Sequence, residues 1–230
     1  MTKAGNRRLL PSRWGGDQMS ESWRVAAFLA LSGGFQDSYS YLARGGVFAN
    51  AQTGNIVLLS ARLAARDFAG AAKYLLPLAA FALGAFVSAA MRRRVKVLHW
   101  RQPVLLSEIA ILALVGLLPR SADPAANALA SFACAMQVQA FRKLHGNGYA
   151  STMCIGNLRA FSDGAESALS GGGPEAWRRT ALYAGVLALF AAGAFLGGWL
   201  VPVLGRRAVW ICCPLLAGAF VAMFRHNPER

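Results

Sequence analysis

The sequence predicts an all-α, polytopic helical membrane protein with six spans, two short re-entrant or half helices, and an inverted repeat. Three observations lead there. Uncharged apolar stretches run over 74–91, 125–141, 180–205 and 208–224, and two more, 23–43 and 103–119, each carry one acid, Asp37 and Glu108. Basic residues gather at the ends of these stretches, as in Arg92-Arg93-Arg94, Arg142-Lys143 and Arg178-Arg179. A short uncharged polar motif occurs twice, 102 residues apart: Phe48-Ala49-Asn50-Ala51-Gln52-Thr53-Gly54-Asn55 and Tyr149-Ala150-Ser151-Thr152-Met153-Cys154-Ile155-Gly156-Asn157. A helix rises 1.5 Å per residue, so the stretches cover about 26–39 Å, enough for a hydrocarbon core of roughly 30 Å.

Taken in order, residues 1–22 are polar, with Lys3, Arg7, Arg8 and Arg13, and lack the apolar region of a cleavable signal peptide. They are expected to form a cytoplasmic N-terminal segment. Residues 23–225 are then a single transmembrane domain whose halves cover about 23–119 and 125–224. In each half the first span leads into a polar motif. The uncharged stretch after each motif, ending at Arg62 or Arg159, is too short to cross a bilayer, so 56–65 and 158–169 read as re-entrant pieces.

The distribution of positive charge supports that threading. With the N-terminus inside, six spans place 17 of the 24 Lys and Arg residues on the cytoplasmic side, whereas eight spans place 14 there. Three spans per half make the second half enter from the opposite face, which is an inverted repeat with its site near the midplane. Aligning Gly54 with Gly156 without gaps also pairs Leu42 with Leu144, Gly46 with Gly148, Asn55 with Asn157 and Ser60 with Ser162. It sets Asp37 opposite Gln139, and Gly84-Ala85-Phe86 recurs separately as Gly193-Ala194-Phe195.

Composition removes several function classes. The net charge of +14 sits at span ends without interleaved aromatic residues, so the expected partner is a bilayer with anionic head groups at the cytoplasmic loops, not a nucleic acid. Cys134, Cys154, Cys212 and Cys213 have no metal-ligand spacing and read as small buried hydrophobes. No phosphate loop, cofactor motif or nucleophile–base set appears, so neither an enzyme nor a cofactor is expected. The sequence leaves room for a homo-oligomer.

The polar residues inside the apolar stretches are the candidate site. Asp37, with Gln36 before it, lies about two-thirds along its span, where a charge costs about 2.5–3.5 kcal/mol on the insertion scale. It reads either as a proton or cation site or as an interhelical anchor near Arg44. Asn50, Gln52, Thr53 and Asn55 supply donors and acceptors, and Gly54 permits left-handed or close backbone geometry. They read as ligand contacts, or as a cap in which Thr53 or Asn55 starts the following helix. Ser151, Thr152, Gly156 and Asn157 are their counterparts. Gln137 and Gln139 point to different helix faces, so at most one is expected to face the site, the other reading being bonds to neighbouring helices. Glu108 reads as a gate or proton relay, or as an acid that snorkels to Arg101, the structural reading being preferred.

The run Gly33-Gly34-Phe35-Gln36-Asp37-Ser38-Tyr39-Ser40-Tyr41, followed by Phe48 and Thr53-Gly54-Asn55, resembles the YoaK-like family of bacterial multi-pass membrane proteins, domain of unknown function 1275. The resemblance covers about residues 20–225 and implies an inner-membrane location. In the second half the chain departs from the family's pattern, with Gln137, Gln139 and Ala140 where Gly then Gln-Asn is expected, and Ile155 in place of Thr. The functional expectation is a transporter of a small solute or ion, coupled to protons through Asp37. The alternatives are a channel, or a scaffold or assembly factor that does not transport.

Overall fold

The computed structural model describes residues 21–94 and 100–224. Most of the 1–22 segment, together with Lys96, His99, Arg225, His226 and Arg230, lies outside the described residues. Helix α1 covers Trp23–Ala43, α2 Gln52–Ala64, α3 Phe68–Arg94 and α4 Arg101–Leu117. The second half repeats the order with α5 Asp123–Ala140, α6 Cys154–Leu169, α7 Gly173–Leu204, and a 3-10 turn Gly205–Ile211 that runs into α8 Cys212–Ala222. Among the described residues the fold is all-α apart from one short hairpin, β1 Lys143–Leu144 and β2 Asn147–Gly148, between α5 and the second motif. Its two-residue turn needs positive φ, and His145 and Gly146 supply φ of 47° and 78°.

Local signals set the helix ends. Ser22 caps α1 by accepting from the Val25 amide. Asp67 precedes α3 and accepts from the Gly70 amide at 2.8 Å, a bond that holds its carboxyl below the usual range. Helix α3 and the continuous segment Gly173–Ala222 are, among the described residues, long and apolar enough to cross a membrane.

Packing exchanges the two halves. Helix α1 lies against α7 and α3 against α5, each pair parallel: Trp23 meets Gly185 and Ser38 meets Gly197, while Gly84 meets Phe132 and Ser88 donates to the Met136 carbonyl. A Cβ added to Gly193 would overlap the Leu31 carbonyl, and one added to Gly84 would overlap the Phe132 carbonyl. These glycines therefore let backbones touch, and they are equivalent contacts in the two halves. They relate α1 to α5 at an offset of 101, from Leu31 to Phe132.

The equivalent helices α1 and α5 run in opposite directions, since Gln36 meets Cys134 whereas Arg44 meets Asn127 and Asp123. Helix α4 runs parallel to α1, with Glu108 beside Gln36 and Val115 beside Arg44. At that far end the fully buried Arg44 ties three helices together. Its guanidinium donates to Tyr39 Oη at 2.7 Å, to the carbonyls of Val115, Leu118 and Pro119, and to Asp123 at 2.8 Å. Arg44 thus has Asp123 as its acid; the alternative of Arg44 meeting Asp37 does not occur.

The interior combines an apolar core, including Leu29, Phe35, Leu105 and Leu112, with buried polar side chains. Gln36, Asp37, Asn50, Glu108 and Gln137 are buried, while Phe86, Ile155, Phe195, Trp199 and Val203 face outward, Ile155 at 80% exposure. Outward apolar surface on this scale marks a partner that is itself apolar.

Candidate functional site

Each polar motif folds by the same device. The Asn55 side chain accepts from the Phe48 amide at 3.0 Å and donates to the Phe48 carbonyl at 2.7 Å. Asn157 does the same to Ala150, at 3.3 and 2.7 Å. In both copies the asparagine clamps the backbone seven residues earlier, taking the place of a strand partner for a loop that has none. The amides are consumed in this work, with Gln52 Oε1 accepting a further bond from Asn55 at 2.9 Å.

The expected caps are different from the observed ones. Ala51 and Met153 occupy the N-cap positions of α2 and α6, and neither helix has a side-chain cap. Thr53 is exposed on the first turn of α2. Gly54 lies within the right-handed helix, where a Cβ would stand 3.1 Å from the Phe48 ring, so close packing and not a left-handed turn explains it. Gly156 faces open space. Replacing Asn55 or Asn157 with alanine removes two hydrogen bonds to backbone, and each change is expected to cost about 1–3 kcal/mol. Thermal unfolding of the detergent-solubilised variants measures this; unchanged midpoints for both would refute the clamp.

The two motif loops meet halfway along α1. Asp37 accepts from the Asn50 amide at 2.7 Å, and the amides at 49–51 surround its carboxyl. Asn50 Nδ2 donates to the Gly33 carbonyl at 3.3 Å. From the second loop, Thr152 Cγ2 lies 2.6 Å from where a Gly33 Cβ would stand, so glycine is what admits it. Asn50 and Thr152 are 2% and 3% exposed, yet Asn50 Oδ1 and Thr152 Oγ1 have no hydrogen-bond partner. Buried polar atoms left so carry a desolvation cost of about 1–3 kcal/mol each, and mark a place where a ligand or water belongs.

Beside this meeting point stands a second buried group. Glu108 on α4 is 1% exposed and lies between two glutamines from different halves. Gln36 Nε2 donates to its Oε1 at 3.2 Å and to Ser32 Oγ at 3.1 Å. The Gln137 amide, oriented to satisfy both neighbours, donates to Glu108 at 2.9 and 3.1 Å and accepts from Ser151 Oγ at 2.7 Å. Cys134 Sγ lies 2.8 Å from Gln36 Oε1. Arg101 turns elsewhere, to Glu21 at 3.1 Å and the Ala140 carbonyl at 3.0 Å, so the reading of Glu108 as its partner is corrected.

The offset of 101 makes Gln36 and Gln137 equivalents, and it sets Val138, not Gln139, against Asp37. Gln139 is half-buried at the start-of-α1 end, in the wall of a cleft. Glu108 is the site residue that the sequence reading assigned to a structural role with Arg101 and left out of the candidate site. A one-residue shift of the internal alignment exposes the shared glutamines, although not the acid between them.

Clefts open at that same end. One of about 530 Å³ is lined by Arg92, Arg101, Arg142 and Lys143 with Trp100 and Glu21. A neighbour of about 360 Å³ shares Gln139, Arg142 and Gly148 and reaches Val138, Gly156 and Asn157 of the second motif. Another, about 510 Å³, lies by Trp23, His145 and Arg178. Among the described residues no cluster of His, Cys, Asp and Glu is placed to hold a metal ion.

The model of the family described as protein of unknown function (DUF1275) matches residues 25–222, nearly the whole chain, and the protein belongs to that family. No curated protein and no solved structure matches the chain.

Proposed function

Taking membership of that family as the premise, we propose that the protein is a multi-pass inner-membrane transporter of a small solute or ion, coupled to protons through Asp37. In this reading α1, α3, α4, α5, α7 and the 3-10 turn with α8 are the six spans, and α2 and α6 are half helices. The N-terminus is cytoplasmic, and the end bearing Arg92, Arg142 and Arg178 faces anionic head groups.

The observation that carries the reading is the meeting of the two motif loops at Gly33, with buried unpartnered oxygens on both loops and Asp37 between them. Irregular backbone at membrane depth is tolerated where it lies against protein or a wet cavity, and discontinuous helices at matching places in two halves are the pattern of transporter sites. The opposed directions of α1 and α5, and the parallel course of α1 and α4, agree with three crossings per half. The clefts at one end and the Arg44 tie at the other support a reading in which the cleft-bearing end opens toward the cytoplasm.

The asparagine clamps favour one second reading, a membrane scaffold in which the motifs only hold helices together. Flux into proteoliposomes of purified protein separates the two. Saturable uptake that responds to a pH gradient supports the transporter; a stable, folded protein with no uptake of any solute in a broad panel supports the scaffold. Non-saturating flux points to a channel. The threading has its own check. Single cysteines at Arg66 and Arg94 are expected to label from opposite sides of sealed vesicles, and labelling from one side would discard the six-span arrangement.

A further inference from the structure

The cleft-bearing end of the molecule gathers cations for which the chain supplies no acid. The cleft of about 530 Å³ is lined by Arg92 in the last turn of α3, Trp100 and Arg101 at the start of α4, Arg142 and Lys143 where the hairpin begins, and Glu21 before α1. Glu21 is the acid among these, and Arg101 already holds it at 3.1 Å. Among the described residues Arg92, Arg142 and Lys143 form no ion pair. Like charges converging on one concave surface repel each other and raise the local concentration of anions.

These cations stand on fixed backbone. The His145 amide donates to the Glu21 carbonyl at 3.0 Å, the Tyr149 amide donates to the Arg142 carbonyl at 3.1 Å, and Tyr183 Oη donates to the Gly148 carbonyl at 2.7 Å. The hairpin is thereby tied to the start of α1 and to α7, and it holds Arg142 and Lys143 at the cleft. The carbonyl end of α5 would repel an anion, but Arg101 covers it by donating to the Ala140 carbonyl at 3.0 Å. The start of α4 has no acid in its first turn, so its dipole adds to the positive charge. Trp100 lies beside the Arg101 guanidinium, 5.9 Å from ring centre to carbon, an aromatic ring where apolar helix gives way to charge.

We propose that this cleft binds a phosphate ester whose anionic oxygens are shared among Arg92, Arg142 and Lys143. The site goes beyond the transport reading: it lies apart from the loops that meet at Gly33, and it stands whether or not a solute crosses. A carboxylate presents two oxygens in one plane, too few for three uncompensated cations on separate elements. A phosphate presents its oxygens in several directions, accepts the arginine fork in bidentate fashion and takes lysine as a point charge. Two sources offer this group, the head group of an anionic glycerolipid and a soluble ester such as glycerol phosphate. Basic pockets between spans on the cytoplasmic side suit the first.

The test uses the purified full chain in phosphatidylcholine bilayer discs. One arm titrates glycerol 3-phosphate at an ionic strength held constant with sodium chloride; the other replaces part of the phosphatidylcholine with phosphatidylglycerol. The unfolding temperature is expected to rise in at least one arm, because a ligand that binds the folded state stabilises it. A rise with the lipid alone identifies a head-group site, and a rise with glycerol 3-phosphate identifies a site for the free ester. Replacing Arg92 and Arg142 together with glutamine is expected to weaken half-saturation by about tenfold or more, as loss of charge-assisted bonds predicts. Both residues are exposed, so basal stability is expected to hold.

Arg93→Gln with Arg94→Gln is the control. It removes the same charge from the same end of α3, at exposed residues outside the cleft lining, and is expected to keep the response. No rise in either arm overturns the site, and so does an equal loss of response in the two double variants, which is the mark of a generally basic face. Sodium citrate acting as strongly as glycerol 3-phosphate overturns the phosphate assignment. Should the Arg92 and Arg142 pair lower the basal midpoint, Lys143→Gln takes its place: a weakened response supports the site, and an unchanged one overturns it.

Discussion

Replacing Asp37 with asparagine is expected to reduce proton-driven flux to the level of empty vesicles while leaving the fold intact. The asparagine Oδ1 can still accept from the Asn50 amide that now bonds Asp37 at 2.7 Å, so the first motif loop keeps its anchor. What is removed is the group proposed to gain and lose a proton. Among the described residues Glu108 is engaged by Gln36 and Gln137 on the α4 side, away from the bond that Asp37 makes with the first loop. The discriminating measurement is uptake as a function of external pH, beside a melting curve of the same preparation. Full, pH-responsive uptake in Asp37→Asn would make the acid a helix anchor and remove it from the coupling mechanism. A collapsed melting midpoint with no uptake would also count against the proton role, since loss of the anchor alone would then explain the defect. Asp37→Glu offers a further reading of the same point: it retains a carboxyl, so partial uptake that still follows pH is expected.

The largest effect on stability is expected from Gly193→Val. Its Cβ would overlap the Leu31 carbonyl, and the obstacle is backbone, which cannot rotate aside. The α1–α7 contact must then open along its length, and with it the contact of Ser38 Oγ with the Ala194 carbonyl at 2.7 Å. Overpacking typically costs 1–3 kcal/mol, and a rigid backbone places this change at about 3 kcal/mol or above. Gly198→Ala is the control, because nothing stands within 4 Å of its added Cβ. That change is expected to be neutral or to stabilise by about 0.5–1 kcal/mol, the ordinary gain of alanine over glycine in a helix. Thermal unfolding in detergent compares the two. Equal midpoints would mean that the close approach of the backbones does not hold these helices together.

Much of the fold could be read from the chain because long apolar runs and charge boundaries are local signals. The stretch 23–43 coincides with α1, and 74–91, 103–119 and 125–141 lie within two residues of, or inside, α3, α4 and α5. Helix α7 begins at Gly173, seven residues before the apolar run, because Glu175, Arg178 and Arg179 extend it on an exposed turn that hydropathy does not register. The two short helices after the motifs were also visible, as runs bounded by polar residues and charge. The site was less legible. Gln36, Asp37, Asn50, Gln137 and Thr152 do converge, but the reason is tertiary.

Asn55 and Asn157 looked like caps or ligands because a capping asparagine and a clamping one are the same residue in the same place. Only the loop seven residues back distinguishes them. Glu108 looked like a boundary acid because Arg101 is seven residues away in sequence, whereas its true partners are 72 and 29 residues away. An alignment without gaps sets Gln139 opposite Asp37 and leaves open which of Gln137 and Gln139 faces the site. The packing of Gly193 on Leu31 and Gly84 on Phe132 shows that the helices and the motifs follow offsets differing by one residue.

The parallel pairing of α1 with α7 and of α3 with α5 means that the halves are interleaved, each completing the other's wall. During synthesis α1 is finished about 130 residues before α7 begins, so its groove of Gly33 and Gly34 and its polar row of Gln36 and Asp37 emerge without a cover. The cover of Gly33 and Gly34 comes from Thr152, Phe190 and Ala194 of the second half. An N-terminal fragment should therefore be a client of insertion and quality-control machinery until the last helix arrives, and two separately expressed halves should become protease-resistant only when made together.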